Sequence, residues 1–402
     1  MIKVFTNELL NFSNIDDFYK WLLKNKNVDI EYIKGSKEAE CLYSFLKFYN
    51  KEKQKLNNEI VKMNDTFTDQ LDNDIVKEAV EELKRMNNDG KFLRALLISL
   101  GYNSFIEGDY YLPLALAYEV FQTSILIHDD IIDNAKLRRG KTTIPESYKK
   151  RFLKYSGLEK DFDVKSKHIA NSLGICIGDL GFYFTNKIII DNYSKADNFS
   201  ELMDLYNKIV INTIKGEIID VLLPFKEQYS KDIVTSMDAV MEIYRLKTAW
   251  YSIIGPYFLG MTLAKRNSEE ISKMESILYK LGIAFQIKDD IFGIFGSEDD
   301  LGKTSSDISE FKQTILYAYL VENDVDTLKK ISNYYGKSNL TKKDIEAVQN
   351  MFIKSGALEY AEEKMHIMFN DSKKELESIS FIPEEYKNIL FGFITYLNLR
   401  TK

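Results

Sequence analysis

Apolar residues recur along most of the chain at spacings of three and four, the period of a helix with one buried stripe. Leu56, Ile60, Met63 and Phe67 show it in residues 51–86, which read as one or two amphipathic helices. The same pattern predicts helices over about 90–103, 112–134, 168–191, 197–222, 230–263, 268–296 and 309–321, with more after 340. No sustained two-residue alternation appears, so no β-sheet is expected. Breaks are expected at Asn87 to Gly90, Lys136 to Pro145, Tyr155 to Lys167, Leu223 to Gln228 and Gly296 to Ser309, where turn-forming or polar residues gather. None has a flexible linker's composition, and no fixed-period repeat is present. The expectation is an all-α fold: one large helical domain over 46–402, a bundle around a central cavity, preceded by a helical extension over 1–45.

Composition agrees. Apolar residues make up 45% of the 402, aromatics 13%, and there are only five prolines, so a large core can form with few helix breaks. A net charge of -7 argues against nucleic acid as a partner, since phosphate binding needs a basic surface, and confines any anion site to a local patch. Cys41 and Cys176 are too far apart in sequence to suggest a zinc site, and two cysteines make no disulfide framework. With no signal peptide at the start and no stretch judged long and apolar enough to span a bilayer, a soluble cytoplasmic protein is expected.

Charge is concentrated in His128 to Thr143, HDDIIDNAKLRRGKTT. Asp129 and Asp133 are four apart on a predicted helix and share a face, with Asp130 beside them. Like charges so placed repel, and a hard divalent cation resolves the conflict; Mg²⁺ takes carboxylate oxygens and commonly bridges to phosphates. Arg138, Arg139 and Lys141 then suit phosphate, the arginines by two-pronged hydrogen bonding. Two rival patterns fail. An EF-hand would need a ligand where Ile131 stands and a glycine at the sixth position, and a phosphate loop would need small residues where Lys136 to Arg139 stand. A solvated helix end would explain the acids alone. His128, with no second histidine near, reads as structural.

A second constellation repeats the theme. Asp289 and Asp290 end an apolar run, FQIKDD, and Lys303 and Lys312 follow. Upstream, Lys91 and Arg94 in NDGKFLRALL fall three apart on one expected helical face near its start, where the helix dipole favours anions. Lys247 and Thr248 sit in an otherwise apolar segment, where a lysine needs an anionic partner.

In this order, DGKFLRA, Gln122, DDIID with RRG, GEIID, Lys247 with Thr248, FQIKDD and the GK at Lys303 resemble the trans-type isoprenyl diphosphate synthases, the polyprenyl synthetase family, over about residues 50–402. The resemblance implies an all-α homodimer that uses Mg²⁺ to join isopentenyl diphosphate to an allylic diphosphate. It implies that Asp129, Asp130, Asp133, Asp289 and Asp290 hold metal. Lys91, Arg94, Gln122 and Arg139 then bind isopentenyl diphosphate, Arg138, Lys247, Thr248 and Gln286 serve the allylic diphosphate and its cation, and Lys303 and Lys312 are further substrate-binding positions. The closing LRTK resembles a basic tail over the site. Four departures stand out: Gly293 where the second motif usually has a third acid, Glu217 for a glutamine, and Phe92 and Ala95 for an arginine and a proline. On the helix before Asp129, family members that stop at fifteen carbons carry bulky aromatics where Ile125 and Ser124 stand. Phe121, a turn or ~5.4 Å deeper, is then the expected floor, for a product of about twenty carbons or more. A terpene cyclase and a non-catalytic partner subunit are the rival readings; the first would not need Lys91, Arg94 and Gln122, and the second would not need the intact Asp129 to Asp133 cluster.

Overall fold

The computed structural model describes residues 14–26, 36–69, 71–88, 90–156, 161–230, 235–296, 306–337 and 339–399. Helix α1 (Ile15–Lys26) begins at Asn14, whose side chain accepts from the Asp17 amide at 2.9 Å. Helix α2 (Lys37–Thr66) follows and runs unbroken through the expected boundary at residue 45. The chain divides into a larger unit (residues 1–50, 100–107 and 200–402) and a smaller one (51–99 and 108–199).

In the smaller unit, α3 (Asp74–Asn87) is capped by Asn73, and α4 (Leu93–Asn103) contributes its residues up to Ser99. Next come α5 (Leu112–Ile132) and a hairpin of two-residue strands, β1 (Leu137–Arg138) and β2 (Lys141–Thr142). Sequence alternation did not announce the hairpin, because two residues are too few to show a period. Helix α6 (Ile144–Phe152), capped by Thr143, and α7 (Phe162–Tyr193) complete the unit; α7 starts within the expected break at Tyr155 to Lys167.

Helix α5 is buried on all sides from Leu114 to Ser124 and packs along α7. A seam of glycines makes that possible. A Cβ on Gly174 would meet Ile131 Cδ1 at 2.8 Å, one on Gly178 would meet His128 Nε2 at 2.4 Å, and one on Gly181 would meet Ser124 Oγ at 2.1 Å. The two helices therefore run antiparallel with α7 backbone directly against α5 side chains. By length and composition α7 is also apolar enough to cross a membrane, contrary to the sequence expectation, although a third of its apolar window is buried in this fold. Polar residues such as Asn171, Ser172 and Asp179 interrupt it, which hid it in the sequence.

The larger unit takes up α8 (Phe199–Tyr229) from Ser200, α9 (Met237–Ile243), a π-helix over Tyr244–Ile254, α10 (Gly255–Leu263) and α11 (Ser268–Phe295). After these come the short α12 (Ser306–Ser309), α13 (Ile315–Asn323), α14 (Val325–Ile331), α15 (Lys342–Lys354), α16 (Ala357–Ser378) and α17 (Glu384–Leu399). The break expected at Leu223 to Gln228 lies inside α8. Pro224 removes one hydrogen bond there, and the buried Leu223 keeps that turn seated. The amino-terminal part of α2 joins this unit's core: Phe45 packs on Phe393 and Tyr396 with centroids 5.3 and 5.1 Å apart, and Gly392 makes room for the Cys41 carbonyl.

The seam predicts a specific coupling. Gly181→Ala should destabilise the protein by ~1–3 kcal/mol through overpacking. In a Ser124→Ala background that cost should vanish, because the Oγ is gone and alanine is the better helix former. Equal destabilisation in both backgrounds, measured by urea unfolding, would show that the two positions do not meet.

Candidate active site

The smaller unit builds its site on the last turn of α5. The helix stops at a left-handed Asn134 (φ 50°), with Ala135 N donating to Asp130 O at 2.9 Å and Asn134 N to Ile131 O at 3.3 Å. This paired closure places Asp129 and Asp133 at the helix end, on one face and both partly exposed. The negative end of the helix dipole lies there too, so the position favours cations and makes two adjacent carboxylates costly without one.

The hairpin then folds the basic residues back. Its two-residue turn, Arg139 (φ 53°) and Gly140 (φ 76°), has positive φ at both positions, the geometry that matches strand twist in a tight hairpin. Arg138 Nε reaches Asp130 Oδ1 at 2.6 Å, while Arg139 stays exposed at the turn. Asp130 is 1% exposed, and its other oxygen has no hydrogen-bond partner among the described residues. Burial, opposed by Arg138, pushes its carboxyl up to about 6. The structure thus separates the three acids: Asp129 and Asp133 face outward, whereas Asp130 is buried and paired with Arg138.

The start of α4 also differs from expectation. Lys91 precedes the helix instead of sharing a helical face with Arg94, because Phe92 adopts a left-handed conformation (φ 54°) and turns the chain before Leu93. Phe92 is buried at 1% exposure, and Gly90 lets its ring approach. Arg94 is held by an element that the sequence reading missed. Gln122 accepts from Arg94 Nη1 at 2.9 Å and donates to Glu119 Oε2 at 3.0 Å, and Glu119 Oε1 accepts the Ala95 amide at 3.1 Å. Burial pushes the Glu119 carboxyl up, while Arg94 holds it down. A glutamate within a buried helix was the available signal, since such a group needs partners.

In the larger unit, Lys247 and Thr248 lie in the π-helix, a backbone form often found at functional sites. Gly216 of α8 sits against the Lys247 backbone, and Gly282 of α11 against Ala249. Lys247 Nζ contacts both Glu217 and Asp220 at 2.6 Å, so the anionic partners expected for it come from the protein's own acids. Thr248 Oγ1 donates to Gln286 Oε1, and Gln286 Nε2 to Asp290 Oδ1 at 2.7 Å. Tyr244 donates to Asp290 Oδ2. Asp290 is therefore buried with both oxygens engaged, whereas Asp289, the other acid that the family resemblance implies for metal, is partly exposed. Lys312 pairs with Glu310 at 3.1 Å. Lys303 and the closing residues 400–402 lie outside the described residues.

Of the chain-length residues, Phe121 is fully buried, its ring edge-on to Tyr118 (5.2 Å) and tilted on Phe182 (5.7 Å). Ser124 is packed under Gly181 and bonded to the Val120 carbonyl at 3.0 Å, so its small size serves the helix seam; Ile125 is half-buried.

Among the described residues, no three His, Cys, Asp or Glu side chains are grouped to hold a metal by themselves. Two carboxylates one turn apart at a helix end suit Mg²⁺, which keeps waters and takes its remaining ligands from phosphates.

Burial, then the charge of Asp307, pushes the Asp290 carboxyl up to about 8, against about 4 in an unfolded chain. A raised carboxyl favours the folded state at low pH and loses that contribution as pH rises through about 8. In metal-free buffer, urea unfolding should show stability falling from pH 6 to pH 8.5, and Asp290→Asn should flatten the slope. Parallel profiles for the two proteins would contradict this.

Comparison with known proteins agrees with these features. The family profile described as Polyprenyl synthetase matches residues 73–352. A geranylgeranyl diphosphate synthase of Sulfolobus acidocaldarius is 29% identical over 351 residues, 84% of this chain and 96% of its own. Farnesyl pyrophosphate synthase 2 of Cannabis sativa is 25% identical over 321 residues, 75% of this chain and 86% of its own. The fold matches that of geranylgeranyl pyrophosphate synthase from Corynebacterium glutamicum, complexed with isoprenyl diphosphate and magnesium, with a TM-score of 0.77 at 24% identity over 89% of this chain and 99% of that one. The all-α fold, the acid pairs with their basic neighbours and the match over most of the chain identify a prenyltransferase that elongates prenyl chains head to tail, a member of the polyprenyl synthetase family.

Proposed function

We propose that the chain joins isopentenyl diphosphate to an allylic diphosphate in a Mg²⁺-dependent reaction and releases a trans product of about twenty carbons or more. The observation that carries this reading is the outward pairing of Asp129 and Asp133 at the end of α5, with Arg138 and Arg139 folded back beside them by the hairpin. Asp129 and Asp133, and Asp289 in the larger unit, are the residues to hold Mg²⁺, which when bound neutralises charge on the leaving diphosphate. Arg138, Lys247, Lys303 and Lys312 serve the allylic diphosphate.

Ionisation breaks the allylic carbon–oxygen bond, and the leaving diphosphate takes the electron pair. Dipoles of Thr248 and Gln286 steady the cation. Lys91, Arg94, Gln122 and Arg139 hold isopentenyl diphosphate, whose double bond attacks the cation; the proton lost goes to the released diphosphate. Glu119, by fixing Arg94 and Gln122, acts as a positioning residue. Free thiols at Cys41 and Cys176 suit the reducing cytoplasm expected from the sequence.

A homodimer is supported by α8, where Ile211, Ile214, Ile218, Val221 and Phe225 form one exposed apolar stripe at helical spacing, with Phe225 59% exposed. If a second copy covers it, Ile218→Glu should sediment as a monomer; a wild-type protein that is itself monomeric would end the proposal.

Radiolabelled isopentenyl diphosphate with Mg²⁺ and dimethylallyl, geranyl or farnesyl diphosphate should give a longer diphosphate by chromatography, and Phe121→Ala should lengthen it. Hydrocarbon release would indicate a cyclase instead, and an unchanged product from Phe121→Ala would remove that residue as the floor.

A further inference from the structure

Four cations line one crevice of the smaller unit, and one of them belongs to none of the charged motifs. Arg85, on the last turn of α3, shares the crevice with Arg138, Arg139 and Lys141 of the hairpin, and with Met86, Thr123 and Leu126. No acid is among these lining residues, and like charges gathered in this way favour an anion. At about 10 Å³ the crevice has room for at most one water, so a phosphate group does not fit between Arg85 and the hairpin. Arg85 is instead held by the protein from two sides. Its Nε and Nη2 donate to Glu82 Oε2 at 3.0 and 2.7 Å, and Nη2 also donates to the Thr142 carbonyl of β2 at 3.1 Å. Glu82, 4% exposed, is fixed in turn by Arg151 of α6, which also reaches Glu78 at 2.7 Å. A buried carboxylate thus orients a guanidinium, and that guanidinium ties β2 to α3, as Arg138 ties β1 to α5 through Asp130.

We infer that Arg85 and Glu82 are positioning residues for diphosphate: they hold the hairpin so that Arg138 and Arg139 stand where the substrates' phosphates bind. The inference rests on the prenyl-elongating reading above and concerns two residues that the motifs leave unassigned. A hairpin with only two ladder pairs has little stability of its own, so the ties on its strands decide where its basic turn stands. A small displacement of a group that binds and orients substrate is costly, which makes the tie matter to binding although Arg85 touches no phosphate.

Calorimetric titration with inorganic diphosphate in metal-free buffer reads the basic residues apart from the reaction, and two variants separate position from charge. Arg85→Lys keeps the charge, but an ammonium does not replace a planar fork that spans two partners. It should weaken diphosphate about tenfold, the scale of one hydrogen bond to a charged group. Glu82→Gln makes the unit more positive, which by charge alone would tighten an anion; with the anchor of Arg85 loosened, binding should weaken instead. Melting temperatures show whether each variant is folded, and a variant that is not leaves the other to decide. In turnover, KM for the diphosphate substrates should rise by a similar factor while kcat changes less than about twofold, whereas damage to the fold alone would lower kcat at constant KM. A folded Arg85→Lys protein that binds diphosphate like the wild type overturns the inference, as does unchanged or tighter binding by folded Glu82→Gln, or a wild-type chain that binds no diphosphate. The outcome is separable from that for the reaction: elongation with full diphosphate affinity in both variants rejects the positioning role only. Weakened diphosphate binding in both variants with no elongation by the wild-type chain rejects the reaction only.

Discussion

Two carboxylates placed at the negative end of a helix dipole make the constraint on which the smaller unit is built. Asp129 and Asp133 gain nothing from their helix: each repels the other, and both are opposed by the terminal carbonyls. The surroundings only partly answer this. Arg138 binds the buried Asp130, and the charges of Asp129 and Asp133 also act on it. The left-handed Asn134 and the Arg139–Gly140 turn both hold backbone in conformations that non-glycine residues rarely adopt, and both serve to fix acids and bases at that point.

The larger unit handles charge in a different way. Lys247 is neutralised twice over by Glu217 and Asp220, so the residue expected to meet a diphosphate is already held by protein acids. Glutamate in place of glutamine at 217 adds one of those two contacts. Any anion approaching Lys247 would have to compete with that contact. Close approach has a similar role in both units, since Gly216, Gly282, Gly178 and Gly181 each let backbone lie where a methyl group would not fit.

Much of this was legible in the sequence. The period of three and four gave the helices, and the order of charged motifs gave the family and the reaction class, because each motif restricts residue type at fixed spacing. Interactions between distant positions were not legible. Glu119 appeared only as an acid in an apolar run, and its hold on Arg94 through Gln122 needs the fold. Ser124 looked like an open cavity floor until Gly181 was placed on it. Lys91 left the expected helical face because a positive φ at Phe92 leaves no trace in hydrophobic period. Pro224 was taken as a break, yet one lost hydrogen bond does not stop a helix whose neighbouring turns are packed. The hairpin at 137–142 is too short to alternate.

The central claim is that the acids ending α5 are arranged for a divalent cation held together with diphosphate. Thermal unfolding with and without Mg²⁺ plus inorganic diphosphate tests it most directly. A clear rise in melting temperature is predicted for the wild-type chain, falling sharply in Asp129→Asn/Asp133→Asn. An equal rise in both proteins, or none in the wild type, would contradict the account.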